Sequence, residues 1–166
     1  MEITISLLKS EVQYDVNSTV HLIGNRENAA GGSAEQSFNF GSTDGEDEKR
    51  IVDRFMEKAS TDLMAVLGGY LSSEVEANDN DPINSPGYSY DYFLNMPKLF
   101  NRAYVKPLRA SMHEYLVNET LFKWFMRTKS DEAVAYKALA DELEEDIRSY
   151  LNKRTEMLKI RPYPHI

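Results

Sequence analysis

Apolar residues recur at steps of three and four along two consecutive stretches in the second half of the chain. Over 105–128 they are Val105, Leu108, Met112, Tyr115, Leu116, Phe122 and Phe125; over 130–154 they are Tyr136, Leu139, Leu143, Ile147 and Leu151. That spacing gathers each set on one face of an α-helix. It predicts two helices, 105–128 and 130–154, joined by a turn at Thr128-Lys129-Ser130-Asp131. Ser130 stands where an N-cap is wanted, with Asp131 and Glu132 favourable in the first turn. Neither helix can bury its apolar face alone. A third to cover them is predicted over 46–71, carrying Ile51, Phe55, Ala59, Leu63, Val66 and Tyr70. Thr43-Asp44-Gly45-Glu46 has capping-box form before it, and Gly68-Gly69 reads as its stop.

Elsewhere the period changes to two. Ile3, Ile5 and Leu7 alternate with Glu2, Thr4 and Ser6; Val12, Tyr14 and Val16 repeat the pattern, as do Val20 and Leu22 after Asn17-Ser18. This predicts a β segment over 1–23, a small hairpin or meander of short antiparallel strands. Such a unit is marginal alone, so it packs on the helices or pairs with another chain. Residues 24–45 are rich in Gly, Ser, Ala and Asn and read as a flexible loop, with Phe38 and Phe40 either anchoring it or inserting into a neighbour. Residues 72–104 read as a linker containing a short aromatic strand at Tyr88, Tyr90, Tyr92 and Phe93. The run Asn78-Asp79-Asn80-Asp81 lacks the later Gly and Glu that a calcium loop requires. In the tail, 155–166, Leu158 and Ile160 alternate with Lys159 and Arg161, and Pro162 and Pro164 force an extended path past Tyr163 to Ile166. The tail either folds back or adds to a neighbouring subunit. The expected fold is mainly α in a single domain: a three-helix bundle with a small N-terminal β-hairpin or meander and an extended C-terminal tail.

Composition narrows the function classes. With 166 residues the chain can bury a core without cross-links, and its lack of cysteine excludes disulfides and thiolate chemistry. A formal charge of −8 and a pI near 4.9 argue against an overall nucleic-acid footprint. No stretch is apolar for long enough to cross a bilayer, and Met1-Glu2-Ile3-Thr4 does not open a signal peptide, so a cytoplasmic protein is expected. Against the acidic background Lys98, Arg102, Lys106 and Arg109 recur at steps of four, four and three. They form a basic stripe if one helix covers them, although Pro107 interrupts it. The stripe is either a solvated face or a contact for an acidic partner surface or DNA backbone. The last helix shows the opposite sign, with Asp141, Glu142, Glu144, Glu145 and Asp146, and Arg148 four residues after Glu144. His21, His113 and His165 are scattered, with His113 reading as a boundary residue of its helix. Neither a phosphate loop nor a nucleophile elbow occurs. The expectation is a non-enzymatic protein with no cofactor, no metal, no membrane contact and no small-molecule substrate.

The stretch Glu48-Lys49-Arg50-Ile51-Val52-Asp53-Arg54-Phe55, running to Leu67-Gly68-Gly69-Tyr70-Leu71, resembles the first helix of small head–tail connector (neck, or head-completion) proteins of tailed phages. In that family a second helix with late aromatics follows, here Phe122, Trp124 and Phe125. A third opens with acidic residues and continues as Tyr136, Leu139, Ala140 and Leu143. The resemblance covers about residues 46–155. It implies a structural subunit of a phage or prophage virion that forms a ring between portal and tail, with passive contact to DNA in the channel. It also implies that Lys98, Arg102, Lys106, Arg109, Leu158, Ile160, Tyr163 and Ile166 face partners: copies of itself, the portal or tail proteins. The location would then be the host cytoplasm and the virion. The N-terminal β segment and the long loop depart from the simplest members. The competing class is a cytoplasmic helical adaptor or regulatory binding protein.

Overall fold

A computed structural model describes residues 1–29, 46–72 and 87–155. The described chain is mainly helical. Strand β1 (Glu2–Leu8) runs into helix α1 (Lys9–Ala29); then come α2 (Glu46–Leu67), β2 (Ser89–Asn95), α3 (Val105–Thr128) and α4 (Ser130–Leu151). There are thus four helices among the described residues, not three. The loop at 30–45 with Phe38 and Phe40, the segment 73–86, and the tail at 156–166 with Leu158, Ile160, Tyr163 and Ile166 lie outside them. No described helix is long and apolar enough to cross a membrane.

Residues 9–29 depart most from expectation. The alternation over 12–22 predicts strands, and the first six residues of the expected loop follow it, yet all of this is α1. Val12, Val16, Val20 and Ile23 are buried at steps of four, four and three, whereas Tyr14 and Leu22, which a strand would place on their face, are 71% and 70% exposed. The ambiguity is arithmetic, since positions four apart satisfy a period of two as well as a helical stripe. Asn17-Ser18 does not turn the chain. Thr19 instead bonds back to the Asp15 carbonyl at 2.8 Å, a helix-compatible arrangement.

The partner of β1 is therefore not a hairpin neighbour but β2. The two pair antiparallel from Glu2↔Asn95 to Leu8↔Ser89. Ile5 and Leu7 on one strand and Tyr90, Tyr92 and Leu94 on the other form the buried face. Polar contacts fix that face on α2. Tyr92 and Ser60 share a buried hydrogen bond at 2.8 Å, and Tyr90 donates to Glu57 at 3.4 Å. Lys9 pairs with Glu57 at 2.7 Å while lying 4.6 Å from the Tyr90 ring centroid. Burial pushes the Tyr92 phenol up to about 12. Beyond β2, the Ser72 amide donates to the Phe93 carbonyl at 2.8 Å, so part of that edge is already used.

The helix α2 buries Val52, Met56, Ala59, Leu63 and Leu67; Ile51 and Phe55, expected at the centre of the stripe, flank it. It stops where Gly68 takes φ +48, a value that favours glycine. Helices α3 and α4 form an antiparallel hairpin. Lys129 (φ −155, ψ 90) occupies the cap position without a side-chain cap bond, and Ser130, the expected N-cap, is the first helical residue. On α4 the buried residues are Ala133, Ala140, Ile147 and Leu151, while Leu139, expected in the core, is 47% exposed. Small alanines let α4 approach α3 closely and leave Leu139 on the shoulder of the stripe. Phe125 stacks on Tyr136 with centroids 5.4 Å apart, and Tyr104 on Tyr150 at 5.9 Å. The helix expected to reach 154 ends at Leu151. The chain then runs back beside 99–101, through Asn101 N to Lys153 O at 3.1 Å and Thr155 N to Leu99 O at 2.9 Å.

The helical assignment of α1 has a direct test. Val16→Ala should lower unfolding free energy by about 2 kcal/mol, and Tyr14→Ala by less than about 0.5 kcal/mol, measured by urea denaturation. Equal losses at both positions would restore the strand.

Candidate partner surface

The four basic residues of the expected stripe do not share one helix. Lys98 sits in the turn after β2, Arg102 in the short 3-10 turn Arg102–Tyr104, and Lys106 and Arg109 in the opening turns of α3. The Asn101 side chain starts that 3-10 turn by accepting from the Ala103 amide at 3.1 Å. Pro107 is the third residue of α3, where the missing N–H is not needed by the helix. What looks like one stripe is thus three local structures, and all four side chains are exposed. Arg102 donates to the Met1 sulfur at 3.1 Å. Among the described residues, Lys98, Lys106 and Arg109 have no ion-pair partner.

The acidic side of α4 divides in two. Asp141 pairs with Lys137 at 3.1 Å, and Glu144 with Arg148 at 2.6 Å. Glu142, Glu145 and Asp146 are exposed and, among the described residues, unpaired. The hairpin therefore carries open positive charge at the entrance to α3 and open negative charge on the outside of α4.

Beneath these surfaces lies a charged ladder that sequence reasoning did not single out. Lys58 on α2 pairs with Asp62 at 2.6 Å, and Asp62 with Lys123 on α3 at 3.1 Å. Lys123 also pairs with Glu119, whose other oxygen accepts from Lys137 on α4 at 3.2 Å. Glu119 is only 4% exposed. Lys137 lies 5.5 Å from the Phe122 centroid, so its stem and charge both rest on the core. Burial, reinforced by the charges of Glu119, Glu144 and Asp62, pushes the nearby Tyr115 phenol well above its ordinary range. The available signal was Glu119 at a core position of α3, with Lys123 one turn on; a carboxylate there requires cationic partners.

His113, read as a boundary residue between the buried and exposed sides of its helix, lies 2.8 Å from Asp15 and ties α3 to α1. Arg26 near the far end of α1 reaches Glu132 at the start of α4, 2.9 Å away. Among the described residues no group of three or more His, Asp or Glu side chains is arranged to hold a metal ion.

The ladder makes stability depend on pH at both extremes. Burial alone would raise the Asp62 carboxyl, but the hydrogen bonds and charges of Lys58 and Lys123 outweigh it and hold it below the ordinary 3.8. Its contribution is present above that value and is lost as pH falls through the lower folded one. Burial would lower Lys137, but Asp141 and Glu119 outweigh it and raise it above 10.5; its contribution is present below 10.5 and is lost as pH rises through the higher folded value. Asp62→Asn should accordingly flatten the acid limb of a stability–pH curve, and Lys137→Met the alkaline limb. At neutral pH, Glu119→Ala should cost about 3 kcal/mol or more, while Glu144→Ala, at the exposed pair, should cost no more than about 0.5 kcal/mol. Comparison of the chain with known protein families, with curated proteins and with solved structures finds no match.

Proposed function

We propose that this chain is a non-enzymatic structural subunit that assembles head to tail with copies of itself into a ring. In this reading it is a head–tail connector between portal and tail of a phage or prophage virion, as the sequence resemblance implies. The observation that supports the assembly is the open charge on the α3–α4 hairpin. Lys106 and Arg109 lie in the opening turns of α3 and Glu142, Glu145 and Asp146 on α4, while Lys98 is in the turn after β2. A head-to-tail interface joins two different patches of the same chain, and rings result when the rotation closes. Opposite charges on separate elements meet that requirement. The ladder through Glu119 locks α2, α3 and α4 together, so the two patches would be presented on one rigid unit. The basic entrance to α3 is then also a surface for an acidic partner or for DNA in the channel.

Light scattering of the purified chain, alone and mixed with portal protein, tests this directly. Discrete rings that weaken with salt are expected, because exposed charge pairs are screened within about 10 Å at 0.1 M salt. The double change Lys106→Glu with Arg109→Glu should abolish association while leaving helix content intact. Adding Glu145→Lys and Asp146→Lys should restore it. A protein that stays monomeric at high concentration and ignores portal protein would remove the proposal.

A further inference from the structure

Among the described residues the sheet has an open edge along β1, and its chemistry points to an occupant. The Met1 ammonium donates to the Met96 carbonyl at 2.8 Å and the Met96 amide donates back to the Met1 carbonyl at 2.8 Å, so these two residues form a hydrogen-bonded pair. Such pairs alternate along an antiparallel ladder. Lys9 N to Tyr88 O at 3.0 Å falls in the same phase. The odd residues Ile3, Ile5 and Leu7 therefore spend their backbone groups on β2. Those of Glu2, Thr4 and Ser6 point the other way, and among the described residues no strand lies beside them. The same three side chains are exposed. The edge contains no proline, no bulge and one charged residue, so it lacks the usual devices that keep a strand edge from pairing.

We infer that this edge of β1 is a receptor for residues 156–161 of a second copy of the chain, which add to it as a third strand. Three observations select that occupant. Its sequence, Glu156-Met157-Leu158-Lys159-Ile160-Arg161, alternates as an edge strand does, and Pro162 ends the pairing. Six residues extend about 20 Å, which fits the seven-residue β1. The register that places Leu158 and Ile160 beside buried Ile5 and Leu7 turns Lys159 and Arg161 to the exposed face, with Lys159 next to Ser6. The second copy is favoured by where the chain leaves the fold. Thr155 is held against Leu99, beyond the end of β2, and in hydrogen-bonding order β1 itself lies between β2 and the open edge. The inference rests on the assembly reading only in taking another copy as the donor.

Amide hydrogen exchange of the full chain, followed residue by residue over a dilution series, tests it. The amides of Glu2, Thr4 and Ser6 should slow about tenfold or more as concentration rises, while those of Ile3, Ile5 and Leu7 stay unchanged. Protection already complete in the most dilute sample would place the tail on its own chain and overturn the inference; no protection at any concentration would overturn it too. A synthetic peptide spanning 155–162 supplies the second measurement. It should bind the full chain, and N-methylation of one alternate set of its amides, either 158 and 160 or 159 and 161, should abolish binding while the other set is tolerated. The sensitive set reports whether the added strand is parallel or antiparallel. Loss with both sets, or with neither, would overturn backbone pairing. Charge-dependent association without edge protection would remove this inference and leave the assembly reading; edge protection without rings would do the reverse.

Discussion

A single carboxylate inside the helical core sets the terms for the rest of the molecule. Glu119 is almost sealed from water, and an ion there is tolerated only with cations held against it. Lys123 supplies one from the same helix, one turn away, and Lys137 supplies the other from α4. Lys123 in turn holds Asp62 on α2. Apolar stripes can slide or rotate against each other by small amounts at little cost. Paired charges in a buried setting cannot, because a shift of one turn would leave a carboxylate without a partner. The ladder therefore fixes the relative register of three helices, which their apolar faces alone leave looser.

The remaining elements attach to that locked core with different strengths. The sheet is held on α2 by two tyrosines whose hydroxyls are bonded, and by Lys9 bridging Glu57 and the Tyr90 ring. The helix α1 has less to offer. Its buried stripe is three valines and an isoleucine, and its ties to the hairpin, Asp15 with His113 and Arg26 with Glu132, are part-exposed. Asn17 Oδ1 on α1 and Thr120 Oγ1 and Trp124 Nε1 on α3 are buried without a partner among the described residues. Each such group subtracts from stability on the order of 1 kcal/mol or more. Lys9, the first residue of α1, adds a third tie, to Glu57 on α2.

The helical class and the first strand were legible because their periods are unambiguous. Over Val105–Thr128 the apolar steps fit only a helix, and Ile3, Ile5 and Leu7 fit only a strand. The region after Leu8 was not legible, because Val12, Val16 and Val20 satisfy both periods and valine favours strands on intrinsic grounds. Tertiary burial decided the matter for the helix. Strand partnership was also hidden: an aromatic alternation at Tyr90 and Tyr92 reads as a strand, but nothing local says which strand it meets. The basic residues show the converse error. Their spacing suggested a helix that the turn at Lys98 and the 3-10 segment at Arg102 do not make, although all four side chains are exposed. The internal ladder was within reach, since Glu119 stands at a core position, but only three-dimensional packing reveals that Lys137 and Asp62 come to it from other helices.

The pairing of β1 with β2 also has a consequence for the order in which the molecule is built. The first residue bonds a residue 95 positions later, so β1 is made long before its partner. During synthesis at roughly 5–20 residues per second, the nascent strand waits several seconds with Ile3, Ile5 and Leu7 uncovered. The closure entropy of so long a loop grows only with the logarithm of its length, so the finished protein loses little by it. The burden falls on the kinetics: Ile3, Ile5 and Leu7 have no strand partner until residues 89–95 emerge.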